Sequence, residues 1–203
     1  MDTSNRKINR KRFNPNCLLN EPAIILGNGS TLPQDRLCEL NDYFTIGLNR
    51  ILKIYEPTIL MWQDIQLYLE MRKEIENCNS ILYCKQHIKT MHFKNFHLFG
   101  KDFQLTNDPK KLYGVGSTGP LAFQLAKILG CKPIIILGCD GQIINGKTSF
   151  YGVNTNWSRV TQMNCMKGLL FMIKNGAEID LDILKNYTGK GQEYYKQILL
   201  GEK

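Results

Sequence analysis

The chain has 203 residues, 43% of them hydrophobic and 22% charged, and carries a net charge of +8. That length suits one sizeable core and is short for two, and the composition is that of a globular domain rather than a disordered or fibrous chain. No apolar run approaches the roughly 18 residues of a membrane span, and seven cysteines without a C-x-x-C pair argue against a disulfide framework or a zinc site.

In chain order, residues 1–20 come first as a basic N-terminal arm. Arg6, Lys7, Arg10, Lys11 and Arg12 stand there against Asp2 alone, so half of the net charge of +8 lies in a tenth of the chain. Clustered cations of this kind suit a polyanion. The charged start lacks the apolar centre of a secretory signal, which makes the cytoplasm the expected compartment.

From residue 22 strands and helices alternate. "AIILG" (Ala23 to Gly27) is an apolar run of the kind found in a strand buried on both faces. "LPQDRLCEL" is predicted as a short helix, with Pro33 in its first turn. "YFTIGLN" (Tyr43 to Asn49) and "PTILMWQD" (Pro57 to Asp64) read as strands, and "IQLYLEMRKEI" as one amphipathic helix. "SILYCK" (Ser80 to Lys85) is a further strand. Residues 86–115 hold His87, His92 and His97 and read as an inserted loop region. "STGPLAFQLAKILG" is a helix stopped by Gly130, and "KPIIILGCD" (Lys132 to Asp140) a strand. A helix over Ser158 to Lys174, a last strand in "EIDLDIL" and a closing helix in "GQEYYKQILL" complete residues 21–203 as a single domain.

Strands separated by helices predict an α/β fold with a Rossmann-like, doubly wound, mostly parallel sheet. In such sheets ligands sit at the carboxyl ends of the strands, where the strand order reverses. Here those ends are Gly27-Asn28-Gly29, Asn49, Gln63-Asp64 and Asp140, joined by Ser117-Thr118-Gly119 at the start of a helix. Each is glycine or a polar residue arriving after an apolar run. "GNGSTL" is not the dinucleotide fingerprint, because Leu32 stands at the third glycine and Asn49 where a ribose-binding carboxylate belongs. The "GSTG" segment suits an anion at a helix N-terminus, and it equally suits a capped helix with no ligand.

In order and with fitting spacing, "IILGNGSTL", "GLNRI", "PTILMWQD" and "GSTGPLAFQLAKILGCKPIIILGCDGQ" resemble the bacterial sialyltransferases that use CMP-sugar donors, and the sialyltransferase-like proteins of bacteria and bacteriophages. The resemblance covers residues 22–181. It implies a single Rossmann-like domain of the glycosyltransferase-A type and inverting transfer from a CMP-sugar, with neither metal nor resident cofactor. It further implies that Gly27, Asn28, Gly29 and Asn49 meet the ribose and phosphate of the donor. Gln63 would reach the donor near its phosphate or sugar, Ser117, Thr118 and Gly119 would hold the donor, and Asp140 would lie beside the cytidine. Tyr151, or Phe150 next to it, falls near a tyrosine that stabilises the departing phosphate.

The chain departs from that pattern in its base. The family's catalytic histidine precedes the helix after the aspartate loop, where this chain reads "YGVNTNWSRV", and no histidine follows His97. Asp64, Asp140 or a loop histidine is left to deprotonate the acceptor. The basic arm makes DNA with a hydroxymethylated base one expected acceptor, extruded from its stack, with Trp157 or Tyr113 to pack on it. Two other readings stand beside this one. A pterin-type pyrophosphokinase shares the G-N-G turn and would need Mg²⁺ on Asp64 and Asp140. A nucleotide- or nucleic-acid-binding module would need no base at all.

Overall fold

The computed structural model describes residues 13–86, 94–114, 116–152 and 158–201. Its centre is one eight-stranded sheet: β1 (Ala23–Leu26), β2 (Phe44–Leu48), β3 (Ile59–Trp62), β4 (Ile81–Lys85), β5 (Lys94–Phe99), β6 (Lys111–Tyr113), β7 (Ile134–Leu137) and β8 (Ala177–Glu178). The order is β6-β5-β4-β3-β2-β1-β7-β8, and every neighbouring pair is parallel. The chain thus winds outward from β1 to one edge, then returns to place β7 on the other side of β1. This is the doubly wound, Rossmann-like arrangement expected from the sequence, and the reversal lies between β1 and β7.

The reason is visible in β1. All four residues are fully buried because both faces of the strand are covered. Ala23 and Ile25 join a core with α3 (Gly119–Leu129), α4 (Arg159–Lys174) and α5 (Gln192–Leu200). Ile24 and Leu26 join a second core on the opposite face, with 3₁₀ segments at Gln34–Leu40, Asn49–Lys53 and Leu181–Asn186 and with α1 (Ile65–Glu70) and α2 (Arg72–Asn77).

Several local expectations are corrected. Residues 86–115 are not a loop insertion, since β5 and β6 lie within them. These outer strands bury one face only, so Asn95-Phe96-His97-Leu98 alternates where β1, β3 and β7 are apolar throughout. The "LPQDRLCEL" segment is a 3₁₀ helix. The expected single helix after β3 breaks at Met71 (φ −113°, ψ 25°), whose side chain is buried. The last strand is only Ala177–Glu178, so "EIDLDIL" contributes a single strand residue, because the Asp180 side chain accepts from the Asp182 N–H and starts a 3₁₀ turn. Phe13 and Leu18 are core residues, so the folded body takes in the end of the segment assigned to the arm. Arg6, Lys7, Arg10, Lys11 and Arg12 lie outside the described residues. Among the described residues no helix is long and apolar enough to cross a membrane.

The β6 edge is closed by a side chain. Gln124, on α3 and fully buried, accepts from the Tyr113 N–H (2.9 Å) and donates to the Tyr113 carbonyl (2.8 Å). One carboxamide thereby imitates the next strand.

Candidate functional site

At the carboxyl end of β1 the chain passes close to β7. Gly27 N–H donates to the Leu137 carbonyl and Gly29 N–H to the Gly138 carbonyl, both at 2.7 Å. A Cβ on Gly27 would stand 2.2 Å from the Gly138 oxygen, which explains the first glycine by close approach alone. A Cβ on Gly29 would meet the Asp140 carboxyl group at 2.4–2.5 Å. Asp140 therefore leans across the β1–β7 reversal, where Ser30 Oγ (3.2 Å), the Thr31 N–H (3.2 Å) and Thr31 Oγ1 donate to it.

Asn28 works as a staple. Its Nδ2 donates to the Leu48 carbonyl at 2.7 Å and its Oδ1 accepts from the Arg50 N–H at 3.0 Å, tying the ends of β1 and β2 together. Its own carbonyl accepts from the Phe150 N–H at 2.9 Å, which folds the loop after β7 back over the turn. The contact that the resemblance implies for Asn28 falls on a side chain whose two polar atoms already serve the backbone.

A second group converges beside it. Gln63 Nε2 donates to Thr118 Oγ1 at 3.0 Å, and Thr118 Oγ1 lies 3.5 Å from Asn49 Oδ1. Asn49 follows β2 with a left-handed φ of 50°, a conformation that asparagine tolerates better than most residues. Thr118 is buried at the start of α3, and a Cβ on Gly119 would make ordinary contact with Met172, Cys139 and Leu48 at 3.4–3.8 Å. Burial pushes the Cys139 thiol up to about 12, so it stays protonated and serves as packing rather than as a nucleophile. Ser117 adjoins this cluster in the chain and is partly exposed.

Asp64 lies one residue beyond Gln63. It is exposed and precedes α1 without a side-chain cap bond. Tyr151 occupies the rim on the opposite face of the sheet from α3. Its ring lies under the guanidinium of Arg50 (5.4 Å) and the ammonium of Lys53 (6.0 Å), and its hydroxyl is 3.4 Å from Arg50 Nη1. Glu70 closes this group through two hydrogen bonds from Arg50 and an ion pair with Lys53. The Arg50 bond holds the Glu70 carboxyl below its usual range and raises the guanidinium.

The sequence-predicted residues thus fall into three touching groups at one end of the sheet: Gly27-Asn28-Gly29 with Asp140, Asn49 with Gln63 and Thr118, and Tyr151 on the rim. His97 is not among them, since it lies on β5 near the far edge. His87, His92 and Trp157 lie outside the described residues. Sequence reasoning missed Arg50, Lys53 and Glu70. The only available signal was a cation directly after the strand-end asparagine in "GLNR". It also missed Ser30 and Thr31 as partners of Asp140, although both stand in the quoted turn.

Comparison of the chain with protein-family models, with curated proteins and with solved structures finds no match.

Proposed function

We propose that the chain is a glycosyltransferase that moves a sugar from a CMP-sugar, a nucleotide-sugar donor, to an acceptor hydroxyl. The observation that carries this reading is the hydrogen-bonded cluster of Gln63, Thr118 and Asn49 beside the β1–β7 reversal. Three motifs separated by up to 69 positions meet there at the edge where open α/β sheets take their ligands. Neutral amides and a hydroxyl suit a ribose, a sugar and a phosphate, all of which are read by hydrogen bonds.

In this reading Asp64 is the proton acceptor for the attacking hydroxyl. It is exposed and close in sequence to Gln63, whereas Asp140 is committed to Ser30 and Thr31. Asp140 then holds the turn that shapes the donor crevice. Tyr151, with Arg50 behind it, donates to the phosphate oxygen as charge develops there. The acceptor is a hydroxymethylated base in DNA, met by the basic arm.

Thermal-shift measurements with CMP, UDP, ATP plus Mg²⁺, and NAD test the donor. CMP alone should stabilise the protein, and Thr118→Val should remove most of that shift with little loss of basal stability. Stabilisation by ATP and Mg²⁺ alone would point to the pyrophosphokinase chemistry. A parent-sized CMP shift in Thr118→Val would sink the site as drawn.

A further inference from the structure

On β5 and β6 the side chains alternate strictly. Phe96, Leu98 and Leu112 pack into the core under α3, which leaves Asn95, His97, Phe99, Lys111 and Tyr113 on the other face. The second core covers that face over the central strands, and none of its members comes from β5 or β6. His97 and Lys111 are exposed, and Phe99 keeps 38% of its surface in solvent.

The three rings form a row. His97 and Phe99 have centroids 6.1 Å apart, and Phe99 and Tyr113, directly opposite each other across the strands, 6.0 Å. Lys111 stands opposite His97 on the same face. Lys101 and Lys110 are exposed where the chain leaves β5 and approaches β6. Asp102, exposed directly beside Lys101, and Asp108, through its ion pair with Lys111 at 3.9 Å, offset part of this charge and leave it net positive.

We propose that this outer face of β5 and β6 is a stacking platform for the bases of a single-stranded nucleic acid. The pairing of exposed rings with cations selects a partner that offers flat π-faces and negative charge together. A peptide adding itself as a further strand meets an obstacle at Tyr113, whose N–H and carbonyl are both held by Gln124. Stacking reads no particular base, so the face tolerates sequence. In a duplex the bases are already stacked on one another, so the single strand is preferred. The inference needs only this face and does not depend on glycosyl transfer.

The test is fluorescence anisotropy of the full chain with a labelled oligothymidylate of about 12 nucleotides, a length within the usual site size. The same strand in a duplex and heparin serve as competitors. The single strand should bind more tightly than the duplex. Phe99→Leu and Tyr113→Leu, which keep apolar volume but lose the ring, should each weaken binding about 5- to 100-fold. His97→Ala, at an exposed position outside both cores, should weaken it in the same direction. Lys111→Gln should lower the salt slope by about one unit. No binding at low salt, a preference for duplex, or ring variants that bind like the parent would each overturn the proposal, the last leaving only electrostatic attraction. Strand binding without a CMP shift would leave this face intact and remove the transferase reading instead.

Discussion

Replacing Gly27 by alanine isolates the close approach that shapes the crevice. The new methyl group would sit 2.2 Å from the Gly138 carbonyl oxygen and 2.9 Å from Cys139 Sγ, where ordinary contact begins near 3.4 Å. The obstacle on the first side is backbone, so β1 and β7 must part by about 1.2 Å at their ends. That movement breaks the two 2.7 Å bonds from Gly27 and Gly29 to β7. Each buried backbone group left unpaired costs about 1–3 kcal/mol, so the variant should lose about 3–5 kcal/mol, a large part of an ordinary domain's stability. Urea unfolding followed by far-UV circular dichroism measures the loss, and Tm should fall by about 8–15 °C. Gly29→Ala is the companion. Its methyl group meets the Asp140 carboxyl, a side-chain end that can swing away. The cost in stability should be less than half as large, while the CMP shift should disappear because the turn loses its tether. A loss below about 1 kcal/mol for Gly27→Ala, or a larger loss for Gly29→Ala, would refute the reasoning.

Gln124→Leu keeps the volume but removes both partners of Tyr113, and it should cost about 2–3 kcal/mol and promote association through the freed β6 edge. Urea unfolding and light scattering check the two effects, and a loss under about 0.5 kcal/mol with no association would contradict them. Lys94 gives a pH signature. Burial draws its ammonium down to about 8, although its Nζ lies 4.4 Å from the Phe13 ring centre. With the folded value below the unfolded one, the penalty is full below pH 8, fades as pH rises, and is gone above the ordinary lysine value near 10.4. Stability of the parent should therefore rise relative to Lys94→Met between about pH 8 and pH 10, a difference read from paired denaturation series. A flat difference across that window would remove the buried charge from the account.

What could be read in advance followed burial. β1, β3 and β7 are apolar from end to end, and β2 and β4 are interrupted only by Thr45 and Lys85, because helices or 3₁₀ segments cover both faces, and each was legible as a nearly continuous run. The glycine and amide ends of these strands were legible for the same reason, as breaks in those runs. β5 and β6 were not, because one face of each lies open and a lysine, an asparagine and a histidine interrupt the pattern. The 3₁₀ turn after β8 was hidden by the apolar spacing of Ile179, Leu181 and Ile183, and only the Asp180 side chain decides against a strand there. Within the site, residue types at strand ends were predictable, but their pairings were not. Asn28 reads as a ligand contact from its motif, and only the positions of the Leu48 carbonyl and the Arg50 N–H reveal it as a tie between strands.

The Thr118 hydroxyl sets a direction. It accepts from Gln63 Nε2, so its single proton is free to point toward Asn49 Oδ1. Proton donation then runs one way along the row, from the β3 end through the helix start to the β2 end. Gln63 keeps its carbonyl oxygen and a second N–H for a visitor, and Asn49 keeps its amino group and a second lone pair on Oδ1. Each amide end of the row can therefore both donate and accept, and the Thr118 proton, already directed at Asn49, is the member withdrawn from the exchange. A ligand that bridges the two amides is met by both kinds of group at each end, so it is selected by the span between the strand ends more than by the sense of its own donors and acceptors.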